Sequence, residues 1–210
     1  MPEARRHLRA VGDPAREPSP AEITGALVER ARSGDMNAWS RLYRDTFSRI
    51  YAHIRYLTGD AQLAEELVQE TYVQALPRID RFDGRSSFTT WLHGIAINIV
   101  RNHWRSQRSA AKAHARLEAV EEVQTRRGDS PEAPLARKQR VAALYAALET
   151  LPDHLRLAFI LRDLEGLSPE IAAERLGITP NNLSVRACRA RDRLRKALAR
   201  DGVLCQEGAS

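Results

Sequence analysis

An apolar repeat at three- and four-residue spacing runs from about Ala21 to Arg200, and no stretch alternates with the two-residue period of a strand. That restricts the chain to helices packed on helices. A stripe at i, i+3, i+4 and i+7 lies on one side of a 3.6-residue turn and has to be buried against another such stripe. The expected fold class is all-α. A length of 210 residues leaves room for one medium domain or two small ones. Breaks in the repeat favour two: a disordered tail over 1–20, a helical domain over 21–108, a flexible linker over 109–137, a second helical domain over 138–200 and a polar tail over 201–210.

In the first domain, Ile23, Leu27, Val28 and Ala31 predict a helix that Ser33-Gly34 ends. Asp35 caps a longer one carrying Trp39, Leu42, Tyr43, Phe47, Ile50, Tyr51, Ile54 and Leu57, closed by Gly59. Asp60 is a good N-cap for a third helix from Ala61 to Ala75, because its carboxylate accepts an orphan backbone N–H. This helix sets Gln62, Glu65, Glu66, Gln69 and Glu70 on one face and Leu63, Ala64, Leu67 and Thr71 toward the other. A loop from Arg81 to Ser87 leads to a fourth helix, from about Phe88 to Arg105, capped by Ser86 or Ser87. Leu92, Ile95, Ala96 and Ile99 form its buried stripe. Trp91, Gly94, Asn98, Arg101, Asn102 and Arg105 fall on another face.

That second face has the chemistry of a nucleic-acid surface. Arginine neutralises phosphate, asparagine offers a donor and an acceptor to a base edge, and tryptophan offers a stacking plane. A solvated basic face with Trp91 in the core fits the same residues, so both readings stand at this level.

The second domain predicts four helices. Val141, Leu144, Tyr145 and Leu148 mark one that ends before Pro152. Leu155, Leu157, Ala158, Ile160 and Leu161 mark another that ends at Gly166. A short one with Ile171, Ala172 and Leu176 is capped by Ser168. After the Gly177 turn, Thr179-Pro180 opens the last, with Leu183, Ala187, Ala190 and Leu194 buried. A short helix, a glycine turn and a basic second helix make a helix-turn-helix signature. The start of the second helix places Asn181, Asn182 and Ser184 at base edges, with Arg186, Arg189 and Arg191 in reach of bases or phosphates. A satellite bundle with a solvated basic helix is the competing reading.

The formal charge of +6 fits a nucleic-acid partner, but its distribution says more. Acid is concentrated at Glu65 to Glu70 and again at Glu118, Glu121 and Glu122; base is concentrated from Arg186 to Arg200. Cys188 and Cys205 have no paired spacing, which argues against a disulfide framework or a cysteine-type zinc site. His7, His53, His93, His103, His114 and His154 show no ligand spacing, and Glu65, Glu66 and Glu70 have no matching histidine. No phosphate loop or nucleophile motif is present. The expectation is no catalytic residue, no metal and no cofactor. No apolar run is long enough to span a membrane and no signal-peptide core follows Met1, so a cytoplasmic protein without membrane insertion is expected.

Two independent segments carry a family resemblance. Asp60 to Tyr72, Phe82 to Leu92 and Ile95 to Asn98 form one. Leu151-Pro152, Leu161-Arg162-Asp163, Gly166-Leu167-Ser168, Ile171-Ala172 and Arg186 with Arg189-Ala190-Arg191 form the other. In order and separation they resemble the bacterial RNA polymerase sigma factors of the extracytoplasmic-function (ECF) group, over most of residues 24 to 198.

The resemblance implies roles. Asp60, Glu65, Glu66, Gln69 and Glu70 would grip the clamp helices of the largest subunit of core RNA polymerase. Phe82, Arg85, Ser86 and Asn98, within the loop and helix that melt the −10 element, would hold a flipped base. Arg101, Asn102 and Arg105 would hold backbone. Trp91 would either buttress the melted strand or anchor the core. Arg162, Asn181, Asn182, Ser184, Arg186, Arg189 and Arg191 would serve the −35 duplex, and the second domain would also meet the β flap. An anti-sigma factor is the further partner implied beside polymerase and promoter DNA.

This chain departs from the family pattern in four places, one of them Cys188, which replaces a larger residue. Pro169-Glu170 leaves one residue fewer than usual between Ser168 and Ile171. Asn181 to Val185 replaces the common Gly-Thr-Val-basic run, and Gly94 stands where some relatives have arginine. A helix-turn-helix regulator acting on duplex DNA without polymerase is the alternative, but it gives the acidic face no role. A helical enzyme is a third class, without a motif to support it.

Overall fold

The computed structural model describes residues 19–118 and 133–200, with side chains over 19–111 and 139–200. Residues 1–18, the middle of the expected linker and the tail with Cys205 lie outside the described residues, as do the acidic side chains from Glu118 to Glu122.

Eight α-helices follow one another among the described residues, with no strand. Helix α1, Pro20–Arg32, begins in a capping box: Ser19 Oγ accepts the Glu22 N–H, and the Glu22 carboxylate accepts the Ser19 N–H. The helix thus takes in Pro20, which the sequence pattern assigns to the tail. Helix α2, Met36–Thr58, is capped by Asp35, which accepts from the N–H groups of Asn37 and Ala38. It stops at Gly59, whose φ of +74° is left-handed. Asp60 caps α3, Ala61–Ala75, through the N–H groups of Gln62 and Leu63. A 3₁₀ turn over Leu76–Arg81, which the periodicity does not reveal, leads into the loop.

Helix α4, Phe88–Glu118, is capped by Ser87 Oγ, which accepts the Thr90 N–H at 3.0 Å. It runs well past the expected end at Arg105 into the segment read as linker. The reason is local: Ser106 to Glu118 holds no glycine or proline and is rich in alanine, with Gln107, Arg108, Lys112, Arg116 and Leu117 also good helix formers. Helix α5, Ala133–Glu149, likewise starts inside that segment, with Pro134 in its first turn, where a missing N–H costs nothing. Helix α6, Asp153–Phe159, passes into a π-helical turn over Ile160–Leu164, closed by Glu165 N–H on the Ile160 carbonyl at 2.8 Å. Ser168 caps α7, Pro169–Leu176, by accepting the Ile171 N–H at 3.3 Å, so the shortened spacing leaves the cap intact. Gly177, at φ +63°, makes the turn to α8, Pro180–Arg200.

Most of the buried apolar side chains form one cluster. Leu42, Ile50, Ile54 and Leu57 of α2, Leu67 of α3 and Leu92 and Ala96 of α4 meet Leu148, Leu151, Leu155 and Leu157 of the carboxy-terminal unit in it. A smaller cluster of Leu161, Ala172, Ala173, Leu183 and Ala187 holds the helix-turn-helix together. The two units are therefore docked on each other, where the sequence suggested a loose tether. Polar ties cross the junction as well. Arg108 and Asp153 form a two-pronged ion pair at 2.6 and 2.9 Å. The Tyr145 hydroxyl donates to the Tyr56 carbonyl at 2.9 Å. The Arg156 guanidinium lies 3.8 Å over the Trp104 ring, a buried cation–π contact.

Candidate functional site

Helix α3 divides as its spacing predicts. Leu67, Val68, Thr71 and Tyr72 are buried, while Glu65, Glu66, Gln69 and Glu70 are exposed. Asp60 is exposed too, but its carboxylate is engaged as the cap. Beside the acidic face runs a groove of about 290 Å³ lined by Tyr43, Phe47, Tyr51 and Val68, with Glu65 and Gln69 at its edge. The three rings follow one another at centroid separations of 5.3 and 6.0 Å. Their apolar spacing puts these rings in the expected core. They are only partly buried, and so give the acidic face an aromatic border.

On α4, Asn98, Arg101, Asn102 and Arg105 are exposed, one contiguous stripe opposite Leu92, Ala96, Ile99 and Val100. The preceding loop presents its residues unequally. Phe82 is buried: its ring packs edge-on to Phe88 at 5.6 Å and tilted against Trp91 at 5.8 Å. It supports the loop from beneath and does not offer its ring to solvent. Trp91 is partly buried, 5.5 Å from Phe88, and packs on the core cluster as an anchor would. Arg85 is highly exposed and paired with Asp83 at 2.8 Å, and Ser86 is half-buried. One residue that sequence reasoning missed holds the loop in place. Arg32 of α1 donates to the Ile79 carbonyl at 3.3 Å and to the Phe82 carbonyl. Nothing in the local pattern around Arg32 marks that reach across the fold.

In the helix-turn-helix, Leu183, Ala187, Ala190 and Leu194 are buried, the four positions the spacing predicts. Thr179 Oγ1 accepts the Asn182 N–H at 3.3 Å. Asn181, Asn182, Ser184 and Arg189 are exposed at the outer face of α8. Four of the candidate side chains on α8 are engaged internally. Asn182 Oδ1 accepts from Arg186 Nε at 2.8 Å, and the Ser184 hydroxyl donates to the Pro180 carbonyl at 3.0 Å. Arg191 pairs with Asp163 at 3.1 Å. Arg162 is half-buried and donates to the Leu167 carbonyl at 2.5 Å, tying the end of the π turn to the loop before α7.

The docking of the two units brings candidate DNA residues together. Asn98 and Arg101 of α4 share a cleft of about 350 Å³ with Glu174, Arg175 and Arg186 of α7 and α8. Gly94 opens onto the same cleft, and a Cβ there would touch nothing within 4 Å.

Docking also assembles a cluster that linear spacing does not contain. His53 of α2 and His93 of α4 stack edge to face at 4.4 Å between centroids. Glu165 accepts from His53 Nδ1 at 2.8 Å and from Arg175 at 2.7 Å. Burial pushes both imidazoles down from their ordinary pKa, His93 to about 3. Burial pushes the Glu165 carboxyl up, but the His53 hydrogen bond and the charges around it more than offset this and hold it below the usual range.

Among the described residues no helix is long and apolar enough to cross a membrane. Residues 42–110 match the Sigma-70 region 2 family, and residues 142–194 match the Sigma-70, region 4 family. The chain is 34% identical to the RNA polymerase sigma-H factor of Pseudomonas aeruginosa, over 82% of this chain and 92% of that protein. It is 30% identical to the ECF RNA polymerase sigma factor SigE of Mycolicibacterium smegmatis, over 95% of this chain and 77% of that one. Among solved structures, CnrH in complex with the cytosolic domain of CnrY superposes with a TM-score of 0.57 at 24% identity, covering 85% of this chain and 99% of that chain. Helices bearing an acidic face, a basic stripe and a helix-turn-helix, in that order, are thus found on a chain that matches both sigma regions, and the protein belongs to the ECF sigma factors, which direct transcription initiation.

Proposed function

We propose that the α3 face of Glu65, Glu66, Gln69 and Glu70 binds the clamp helices of core RNA polymerase. In this reading the α4 stripe takes the melted −10 strand and the start of α8 reads the −35 duplex. The observation that carries it is the succession of opposite surfaces on α3 and α4. Two helices that share one core present acid to one side and Asn98, Arg101, Asn102 and Arg105 to another. A regulator that bound duplex alone would have no use for the acidic one.

No bond is made or broken by the protein in this scheme. Binding energy offsets the unstacking of promoter bases, about a few kcal/mol for each flipped base. Arg101 and Arg105 neutralise phosphates, Asn98 and the loop beneath it receive a base, and Phe82 and Trp91 keep that loop in shape. Arg186 and Arg189 add phosphate or base contacts on the duplex, while Arg162 and Arg191 hold the domain together. The carboxy-terminal unit also meets the polymerase β flap, and an anti-sigma factor covers the same surfaces in the resting cell. CnrH, which shares this fold, is solved with the cytosolic domain of CnrY bound, so a fold of this kind accommodates a protein partner.

Promoter binding in this reading requires the docked units to part. Elements at −35 and −10 are separated by ~25 base pairs, or ~85 Å at 3.4 Å per step. Asn98, Arg101 and Arg186 here line a single cleft.

The test is transcription by purified core polymerase, with and without this protein, on promoter fragments from the source organism. Initiation from specific sites that needs the protein is expected, and the start sites yield both promoter elements. Absence of initiation together with absence of any association with core polymerase would overturn the reading in favour of a duplex-binding regulator.

A further inference from the structure

We propose that His53, His93 and Glu165 form a binding site for one divalent transition-metal ion at the junction of the two units, with zinc the best-suited occupant. One ligating atom from each residue lies within 4.8 Å of those of the other two. Two imidazoles and a carboxylate are the donor set of three-ligand zinc sites that leave a fourth position open, and the imidazoles extend the range to cobalt, nickel and copper.

One of the two rings is already prepared by its hydrogen bond. His93 Nδ1 lies 2.7 Å from the Thr89 carbonyl, which accepts only, so the proton is on Nδ1 and Nε2 keeps its lone pair. A ligating histidine held through its other nitrogen by a backbone carbonyl or carboxylate is the usual supporting arrangement at metal centres. On His53 it is Nδ1 that faces the carboxylate, 2.8 Å from Glu165 Oε2, so an ion shared with Glu165 binds His53 through Nδ1, and the proton held between the two moves to Nε2. His93 and Glu165 also line a cavity of about 450 Å³ open to solvent, which gives an ion a way in and leaves room for water as a further ligand.

One group opposes the ion. Arg175 already neutralises Glu165, its guanidinium 2.7 Å from the carboxylate and 3.3 Å from His53 Nδ1. Arg49 lines the same cavity. Metal entry therefore displaces the Arg175 guanidinium from Glu165, and that competition gives the site a signature. Removing the arginine tightens metal binding, the reverse of the effect expected if Arg175 merely keeps the site folded.

The ligands come from α2, α4 and the turn after α6, so an ion bound there joins the two units. Beside it lies the cleft where Asn98, Arg101 and Arg186 meet, so the ion would hold shut the arrangement that promoter binding has to open. This consequence rests on the proposed function, but the metal site does not. Its test uses neither polymerase nor DNA, so failure of one is distinguishable from failure of the other.

The experiment titrates metal-free full-length protein with cobalt, read by visible absorption, and then displaces the cobalt with zinc. One equivalent of cobalt per chain is expected, with the intense bands of low-coordinate geometry. His93→Gln and Glu165→Gln should each weaken binding at least about tenfold. Arg175→Ala should tighten it by a comparable factor. Far-ultraviolet circular dichroism checks that each variant keeps its helices. His53 is left intact because its complete burial makes it the substitution most apt to unfold the chain. No cobalt bands in the wild type would overturn the site. Undiminished binding by folded His93→Gln and Glu165→Gln would do the same, by placing the ion elsewhere. If the glutamine variants do not fold, Arg175→Ala decides: weaker or unchanged binding there sinks the proposal.

Discussion

The ring of Tyr145 lies flat against Gly59. A Cβ built on that glycine would come within 2.7 Å of three Tyr145 ring atoms. Gly59 thus meets two demands at once: a left-handed turn that closes α2, and a close approach of α5 from the other unit. Gly59→Ala should cost about 1 kcal/mol or more for the backbone alone and further stability for the clash. Because the second part needs the tyrosine ring, Tyr145→Ala should relieve it. A double-mutant cycle by urea denaturation should show the pair costing less than the sum of the singles, with a coupling of about 0.5–3 kcal/mol. Strict additivity would mean that the docked arrangement does not persist in solution.

The Arg108–Asp153 pair predicts an acid-sensitive junction. The hydrogen bond from Arg108 holds the Asp153 carboxyl below the usual carboxylate range. A carboxyl depressed on folding adds stability that is full above its unfolded value, about 3.9, and is lost as pH falls through the folded value. Arg108 is 44% exposed, so solvent screens the pair, and its worth is about 1 kcal/mol at most. Asp153→Asn should lower stability by that amount at neutral pH and flatten the fall in stability between about pH 5 and pH 2. Denaturation midpoints across that range, at low and high salt, check it; parallel acid limbs for the two proteins would remove Asp153 from the account.

The capped helix termini and the helix-turn-helix stripe were legible in the sequence because their causes are local, whereas the end of α4 and the start of α5, without such signals, were not. Asp35, Asp60 and Ser168 cap within three residues, Gly59 and Gly177 turn where no other residue does so freely, and Leu183, Ala187, Ala190 and Leu194 need only the helical period. What was not legible depends on long-range packing. Leu148 and Leu155 look like the private core of a satellite bundle until they are seen against α2 and α4. Arg32 reaches carbonyls 47 and 50 residues away. His53 and Glu165 are separated by 112 residues, so a search for ligand spacing along one helix passes over them. Among the candidate site residues, Phe82 carries the right motif yet is buried, and Arg162 is spent on the Leu167 carbonyl, since a motif specifies residue type and the surrounding fold decides direction.

The acidic face of α3 predicts a selective loss. Glu70 is exposed, with Gln74 as its one hydrogen-bonded neighbour among the described residues. Glu70→Arg reverses a charge where no packing depends on it, so stability should change by no more than about 0.5 kcal/mol. Affinity for core polymerase should fall at least about tenfold, and binding of the variant to a −35 duplex should be unchanged. Pull-down against core and duplex titration on the same preparation give both values. Equal loss of the two activities would point to misfolding and withdraw the assignment.

Arg189 offers the cleanest separation of contact types on the duplex. It is exposed on α8, on the side opposite the buried stripe, whereas Arg191 is paired with Asp163 and Arg186 with Asn182. Under the proposed function the Arg189 guanidinium, which has no hydrogen-bonded partner among the described residues, meets either a phosphate or a base edge, and the two leave different traces. Loss of a phosphate contact releases one fewer counterion, lowering the slope of log K against log salt by about 1 and weakening all sequences alike. Loss of a base contact costs about 1–3 kcal/mol for the matching site only and leaves other sequences nearly untouched. Arg189 lies more than two turns into α8, past the N-terminal residues that would enter the groove most deeply in that reading, so the phosphate pattern is expected. Titration of Arg189→Ala with promoter and scrambled duplexes at several salt concentrations distinguishes the two. A change in neither affinity nor slope would take Arg189 off the DNA surface and move the contact toward Asn181 and Asn182 at the helix start.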